Sequence, residues 1–306
     1  MSVEWPSLNY EQWSGTCDTL HAHTQVLGKL AAMLAPPEPE LQHAALRLTA
    51  RGWETLPLPA PDGSGALVVV LDLRVHEALV EHSDGRSGRV ALAPDRPVGE
   101  VTREVLTIVQ EVGGSATIDM RPQEVWWSQP LDEDSEHASY DPHAVASYFA
   151  AATRAALVLA AYRAPYRGRS TPVNAWWGSF DLAVSLFSGA PADQPSDGFI
   201  MRNAMDAEEA AVGWWPGDPR YGKAAFYAYA HPSPDGFPRG GVLAGEARWE
   251  DRLGEYVLDW DDVVASSDPH GSALEFARSA FQHLCTVCGW HPALSASMQG
   301  NPLPIT

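Results

Sequence analysis

The feature that most constrains the fold of this chain is a pair of tryptophan-rich segments in its second half. Residues 172–189 read PVNAWWGSFDLAVSLFSG, and residues 211–217 read AVGWWPG. Successive side chains of a strand point to opposite faces, so strands with alternate aromatic residues can line a cavity. A single carboxylate, Asp181, lies within the otherwise apolar first segment. These segments predict strands with an aromatic face and a functional site beside it.

The rest of the chain alternates between helical and strand-like patterns. Residues 1–17 are aromatic and irregular, and Asp18 is suited to cap a helix over 19–34. Periodicity and turn residues predict further helices at 97–112, 142–164 and 270–288. They predict strands at 43–50, 54–58, 66–74, 77–83, 88–92, 115–119, 223–231, 242–250 and 254–259.

This order contains an apparent repeat with an offset of 176 residues. The apolar positions and closing glycine of helix 97–112 fall on those of helix 270–288, and each helix follows a strand that begins after a glycine. The pattern predicts an α+β fold with two pseudo-repeated helix–antiparallel meander–helix halves that enclose an aromatic-lined cavity. The halves would be residues 1–122 and 142–306, joined by an acidic connector at 123–141 and packed as one compact unit. Chance recurrence of a common arrangement is the alternative.

The charge and composition of the chain limit the classes of molecule that it is expected to bind. The chain has 39 acidic and 20 basic residues and a net charge of −19. An acidic surface repels nucleic-acid phosphate and anionic lipid, so neither is expected as a partner. No apolar run approaches the roughly 20 residues of a membrane span, and no signal peptide is evident. The sequence therefore predicts a cytoplasmic protein, with its oligomeric state open.

Signatures of bound cofactors are missing from the sequence. Cys285 and Cys288 form a CxxC pair, but the pair lies inside a helical pattern and lacks two further zinc ligands, so buried helix cysteines are favoured. Neither a phosphate-binding glycine loop nor a GxSxG nucleophile elbow occurs. We therefore expect no cofactor.

Several blocks of the chain resemble a known family. TLHAHTQVLGKL, TARGWETLPLP, DEDSEHASYDP, WWGSFDLAVSLFSG and GWWPG are similar to the DUF5996 family, bacterial proteins without an established function. The resemblance covers about residues 4–291 and implies no reaction, cofactor or partner. It also implies that histidines are frequent in relatives at the positions of Asn174 and Ala207, whereas Asp181 and Glu208 match the family. A first-row metal site would thus lack half its ligands here, and we expect no bound metal.

Five residues are candidates for catalysis. Asp181 among apolar neighbours is expected to have a raised pKa that suits a general acid or base, with His21 or Glu208 as its proton partner. The structural alternative is a buried ion pair with Arg202. Glu136 and His137 form a possible carboxylate–imidazole pair, or simply belong to an acidic loop that caps the next helix.

The candidate substrate-binding residues combine polar and aromatic side chains. His21, Gln25 and Lys29 form one row on a helix, facing either the cavity or the solvent. Tyr227 and Tyr229 lie on the same side of a strand, as a half-buried sheet face or a pocket wall. The full set is Gln25, Lys29, Asn174, Trp176, Arg202, Trp215, Tyr227 and Tyr229.

The sequence is compatible with two different functions. The first is a metal- and cofactor-independent enzyme that acts on a small organic, apolar or aromatic substrate by acid/base catalysis and positioning, as an isomerase, cyclase or hydrolase. The second is a non-catalytic protein that binds a small molecule or a partner through the same cavity. Convergent ionisable groups favour the enzyme. The positions without histidine favour the binding protein.

Overall fold

The computed structural model describes residues 4–234 and 245–298. They divide into two compact units, which we call the first and second unit. The first unit comprises Tyr10–Phe149 and Asn174–Asp181, and the second comprises the described parts of Met1–Asn9, Ala150–Val173 and Leu182–Thr306. Helices and antiparallel strands occur in both, which confirms the predicted α+β class.

Three long helical segments belong to the first unit. They are α1 (Tyr10–Leu34), α2 (Val98–Gly113) and the first eight residues of α3 (Pro142–Arg163). A short 3-10 helix, Pro39–Ala44, follows α1. The predicted irregular segment before residue 18 was wrong, because α1 already begins at Tyr10. Asp18 therefore lies inside the helix rather than at its cap.

The sheet of the first unit is an antiparallel meander. Its strands are β1 (Arg47–Leu48), β2 (Gly52–Glu54), β3 (Leu58–Pro59), β4 (Ala66–Asp72), β5 (Glu77–His82) and β6 (Ser87–Ala91). They pair in the order β1-β2-β4-β5-β6, and β3 also pairs with β4. Helix α2 packs against β5 and β6. Strand β7 (Asn174–Trp176) joins this unit late in the sequence, where Ala175 bridges to Leu46.

The second unit is built on β8 (Asp181–Pro191), whose first residue still belongs to the first unit. The other strands are β9 (Ala207–Trp215), β10 (Ala225–His231), β11 (Arg248–Glu250) and β12 (Glu255–Asp259). They form an antiparallel sheet in the order β8-β9-β10-β12-β11. The helices of this unit are residues 150–163 of α3, α4 (Phe199–Ala204), α5 (Trp260–Ala265), α6 (Pro269–Cys288) and α7 (Pro292–Ser297).

Some predicted strands differ from the structure. The tryptophan segment is not one strand, since a turn at residues 177–180 separates β7 from β8. Residues 115–119 form no strand, and only 47–48 of the predicted 43–50 are in one. Part of the predicted strand 242–250 lies outside the described residues. Its described end is β11.

Helix α3 corrects the expectation that no segment is apolar enough to span a membrane. By length and composition α3 passes that test, with 22 residues and a window of mean hydropathy 1.5. Only 39% of that window is buried. One such helix is weak support for a membrane span, because core helices of soluble proteins pass the same test.

The CxxC pair has the predicted structural character. Cys285 and Cys288 lie in the last turn of α6, which ends at Gly289 with a left-handed φ of 64°. Both thiols are free. Burial raises the pKa of Cys285 to about 12, so this thiol is protonated and unreactive at neutral pH.

Candidate functional site

The best-organised ionisable group of the first unit is a carboxylate–imidazole pair in the segment before α3. Asp134 is buried, and its Oδ2 lies 2.7 Å from Nδ1 of His137. Its Oδ1 accepts hydrogen bonds from the backbone N–H groups of Glu136 and His137, both at 3.0 Å. The carboxylate is therefore fixed by a local turn, and it fixes the imidazole in turn.

Asp134 also decides how His137 can act. The hydrogen bond from the ring to Asp134 raises the pKa of His137, and burial opposes this only in part. Because Nδ1 donates to the carboxylate, Nε2 is the nitrogen left for proton exchange. The His137 side chain is 15% exposed, whereas that of Asp134 is fully buried. This division of roles is that of an orienting carboxylate and an acid/base imidazole.

Asp18 of α1 is a third member of this cluster. Its Oδ1 is buried and has no hydrogen-bond partner within residues 4–234 and 245–298. Burial raises the pKa of Asp18 to about 6, and the charge of His137 lowers it in part. The electrostatic effect is mutual, since Asp18 contributes to the raised pKa of His137. The protonation of Asp18 and that of His137 are therefore coupled.

Trp127 forms an apolar wall of the cluster. The centroid of its ring lies 4.7 Å from that of His137 and 5.4 Å from that of His21. Its indole Nε1 is buried and donates to no partner in the described part of the chain. A buried indole N–H usually has an acceptor, so a bound molecule with an oxygen or nitrogen acceptor would satisfy it.

His23 also lies near Asp134 but is unsuited to proton transfer. The residue is buried, and burial lowers its pKa to about 4, although the charge of Asp134 opposes this. His23 is therefore neutral at physiological pH.

His21 and Gln25 have a structural role in the first unit. His21 Nε2 lies 2.9 Å from the carbonyl oxygen of Trp177 and 3.0 Å from that of Gly178. Carbonyls only accept, so Nε2 is protonated and donates. The amide of Gln25 donates to the carbonyls of Gln123 at 2.9 Å and Trp177 at 3.2 Å. These bonds hold the turn after β7 against α1.

That turn contains a strained residue. Phe180 has a φ of 58°, in the left-handed region that bulky residues avoid. Its ring stacks against those of His21, Trp53 and Tyr148, at centroid distances of 5.0–5.2 Å. Trp53 Nε1 also donates to the hydroxyl of Tyr148 at 2.9 Å. This packing offsets backbone strain of roughly 1–2 kcal/mol.

Asp181 follows the strained residue directly. It is buried, and its Oδ1 accepts a hydrogen bond from the hydroxyl of Ser179. Burial and, to a smaller extent, the charge of Asp181 raise the pKa of Tyr148 well above its ordinary value. The catalytic role of Asp181 stays a prediction.

Asn174 also has a structural environment. Its Oδ1 accepts from Arg47 at 2.6 Å, and its Nδ2 donates to Gln42 Oε1 at 3.0 Å. The side chain is fully buried with both ends of its amide engaged. Trp176, by contrast, is half-buried.

The aromatic candidates of the second unit form a ladder. The rings of Tyr227 and Tyr229 are parallel at a centroid distance of 6.1 Å, which confirms that they share one side of β10. Trp215 lies 5.5 Å from Tyr227. Gly213 pairs with Tyr227, and a Cβ there would lie only 2.3 Å from the tyrosine ring. The ladder therefore requires a glycine at this position.

The remaining candidates are held locally or are exposed. Glu208 Oε2 accepts from the hydroxyl of Ser188 at 2.7 Å. Arg202 on α4 and Glu136 are exposed, so the partner of the imidazole is Asp134 rather than Glu136. The structure brings His21 and His137 together around Trp127. The prediction that candidates of both units line one cavity stays a prediction.

A search for metal-binding groups covers the described ranges. Within residues 4–234 and 245–298, no three or more His, Cys, Asp or Glu side chains are grouped so that they could hold a metal ion.

Comparisons with known proteins give one result. The model of a family of unknown function, DUF5996, matches residues 5–297. No curated protein and no solved structure matches the chain.

Proposed function

The chain belongs to DUF5996, and since that family has no known function, we propose from the residues of this chain that it is a proton-transfer enzyme needing neither metal nor cofactor. The observation that carries the proposal is the 2.7 Å contact between Asp134 Oδ2 and His137 Nδ1, with the protonatable Asp18 nearby. Acid/base enzymes use such groups, with pKa values close to the working pH.

Each group has a distinct role in this proposal. Asp134 orients His137 and stabilises its charged form. His137 Nε2 takes a proton from the substrate, and Asp18 gives a proton to another atom of it. Because the pKa of Asp18 is about 6, a useful fraction of this carboxyl is protonated just below neutral pH. Two groups, one taking and one giving a proton, suit an isomerase best, followed by a cyclase or hydrolase.

The substrate class follows from the surroundings. The Trp127 ring would pack on an apolar or aromatic part of a small organic molecule, and its Nε1 would donate to an acceptor on that molecule. Asp181, in the same unit, is a further proposed contact. The roles that the sequence predicted for Glu208 and the Trp215–Tyr227–Tyr229 ladder, in the second unit, stay predictions. We also propose that the protein acts in the cytoplasm without a nucleic-acid or membrane partner.

Proton abstraction can be tested without knowing the product. Small metabolites that raise the melting temperature of the protein would be incubated with it in D2O and followed by NMR for loss of C–H signals. The wild-type protein should exchange a specific hydrogen of a bound compound, and His137→Gln should reduce the rate at least a hundredfold. Glu136→Gln, at the exposed neighbouring residue, is the matched control and should exchange at the wild-type rate. Equal exchange by His137→Gln and the wild-type protein would exclude this role for His137.

The alternative is a non-catalytic binding protein. It is supported by His21, which was expected to act in catalysis, and by Gln25 and Asn174, which were expected to contact substrate. All three hydrogen-bond to the protein itself. In this case compounds would bind through Trp127 without hydrogen exchange, and His137→Gln would leave that binding within about threefold.

The internal duplication suggested by the sequence is a further proposal. We propose that the two helix–meander–helix halves arose by internal duplication. Support comes from α2 and α6, which both follow the strands of an antiparallel sheet and end at or directly before a glycine. An experimental structure would test this, because residues 18–113 and 142–289 should then superpose with α2 on α6.

A further inference from the structure

The chain uses lysine very rarely. Of its 20 basic Lys and Arg residues only Lys29 and Lys223 are lysines. Arginine stays charged in proteins, whereas a buried lysine readily loses its proton and becomes a nucleophile. The environment of Lys29 is therefore informative, and Lys223 provides an internal comparison.

Lys29 is buried in the first unit and is 5% exposed. Its Nζ has no hydrogen-bond partner among the described residues, although an ammonium group has three donors. The group lies 5.5 Å from the centroid of the Trp177 ring, at a distance typical of a cation–π contact. One turn earlier on α1, by contrast, the side-chain amide of Gln25 is paired at both ends.

Gly28, next to Lys29, allows the close packing around the Lys29 amine. A Cβ on Gly28 would be only 2.0 Å from atoms of the Trp177 ring. The glycine thus lets the indole lie directly on α1, beside the lysine. Trp177 is held in this position because its Nε1 donates to the carbonyl of Ala44 at 3.1 Å.

The two lysines differ in protonation. Burial lowers the pKa of Lys29 to about 8, opposed by the charge of Asp119 and assisted by that of Arg121. About a tenth of this amine is then neutral at pH 7. Lys223 donates to Asp259 at 2.9 Å, and this bond raises its pKa. Lys223 therefore stays protonated at pH 7, whereas part of the Lys29 amine is neutral.

We propose that Lys29 is a nucleophilic amine that captures a small aldehyde or ketone as a Schiff base, with the Trp177 ring supporting the resulting cation. The neutral Nζ adds to the carbonyl carbon, so that a C–N bond forms and the C=O double bond becomes a C–OH group. The oxygen then leaves as water after taking up a proton, and a C=N bond forms without oxidation or reduction. Protonation of this nitrogen gives an iminium ion over the ring.

This site goes beyond the proton-transfer function and is separate from it. Lys29 lies eleven positions after Asp18 on α1, which corresponds to about 16 Å along the helix. Because Nζ is buried, the carbonyl compound must be small and must enter through a local opening of the structure. A result that excludes one site would therefore leave the proposal for the other site unaffected.

Reductive trapping tests the proposal. Wild-type protein and Lys223→Arg would be treated with acetaldehyde and cyanoborohydride between pH 6 and 9, and the ethylated positions would be mapped by peptide mass spectrometry. In Lys223→Arg, Lys29 is the sole lysine, and mapping separates it from any N-terminal amine. We expect ethylation of Lys29 at least tenfold faster than that of Lys223 at pH 7.5, rising with a midpoint near pH 8. In urea the two lysines should react within about twofold of each other.

Two variants complete the test. Lys29→Arg keeps the charge but should form no adduct, and Asp18→Asn should be labelled at Lys29 within twofold of the wild-type rate, which separates this site from the acid/base cluster. Modification of Lys223 with Lys29 left unmodified in the folded protein would overturn the proposal. That comparison needs only wild-type protein, so it decides the matter even if Lys29→Arg fails to fold.

Discussion

Nδ1 of His137 lies 2.7 Å from Oδ2 of Asp134, and this contact orients the imidazole and fixes which of its nitrogens can exchange protons. The carboxylate is fully buried and accepts hydrogen bonds from two backbone N–H groups, so its orientation is fixed. The imidazole is partly exposed, and the charge of a second carboxyl, Asp18, helps to raise its pKa.

The pKa of His137 should depend on Asp134. NMR titration of the ring should give a value above 6.5 in the wild-type protein, because Asp134 stabilises the charged imidazole. In Asp134→Asn the charge is lost, and the pKa of His137 should fall. Stability from this contact is fully present below pH 6.5 and is lost as the pH rises through the folded-state pKa. An unchanged pKa in Asp134→Asn would show that the pair does not couple.

Asp18→Asn should stabilise the protein at neutral pH. Since the folded state raises the pKa of Asp18 from 3.8 to about 6, the charged carboxylate is disfavoured above pH 6, at a cost of up to about 3 kcal/mol. The Asn side chain removes that charge, so we expect a gain of roughly 1–3 kcal/mol in unfolding free energy at pH 7.5.

The advantage of Asp18→Asn should disappear as the pH falls from 6 to 4, because wild-type Asp18 is then protonated in the folded state. Urea denaturation at several pH values measures this difference. A variant that is less stable than the wild type at pH 7.5 would contradict the burial argument.

Loss of the His21 imidazole should destabilise the first unit. His21→Ala leaves the carbonyls of Trp177 and Gly178 without their donor and removes a ring stacked on Phe180. We expect a loss of roughly 2–4 kcal/mol in unfolding free energy. The exposed His143 is the matched control, and His143→Ala should change stability by less than about 0.5 kcal/mol. Equal effects of both variants would show that the His21 contacts contribute little.

The strained backbone of Phe180 predicts an unusual order of stabilities. Both Phe180→Ala and Phe180→Gly lose the stacked ring, at a cost of about 3–5 kcal/mol. Glycine adopts a φ of 58° without strain, so Phe180→Gly should be more stable than Phe180→Ala by roughly 1 kcal/mol. At a position with an ordinary φ, the alanine variant is more stable than the glycine variant. If urea denaturation finds Phe180→Ala more stable than Phe180→Gly, the result would argue against the left-handed conformation of Phe180.

The purified protein should contain no stoichiometric zinc, iron or manganese. Asn174 and Ala207 occupy the positions where the family resemblance implies histidines. Within residues 4–234 and 245–298, no three His, Cys, Asp or Glu side chains are grouped so that they could hold a first-row metal ion. Elemental analysis measures this directly. About one metal per chain, lost in Asp181→Ala, would contradict the prediction.

Regular periodicity made parts of the fold predictable. Helix α6 was expected at 270–288 and spans Pro269–Cys288, because its apolar spacing and closing glycine are both strong signals. The start of α1 was missed, although Tyr10, Trp13 and Cys17 extend the apolar face of Leu20 backwards at helical spacing. The aromatic character of this region suggested an irregular segment, but the helical spacing of the apolar residues was the better indicator.

The candidate site was predictable only where its members are close in sequence. His137 was recognised, and Asp134 precedes it by three residues, a spacing at which a turn can bring carboxylate and ring together. Asp18 could not be found in this way. Its pKa depends on burial against residues far away in sequence, which periodicity does not reveal. His21 and Gln25 were recognised as unusual, yet the sequence could not tell that their partners are backbone carbonyls.

The hydrogen bonds from His21 and Gln25 to backbone carbonyls have an evolutionary consequence. His21 and Gln25 recognise the turn at residues 177–180 through main-chain oxygens. Exchange of the exposed side chain at Ser179 leaves those oxygens in place. Insertion or deletion of one residue would shift both carbonyls away from their donors. Across homologous sequences, this loop should therefore keep its length.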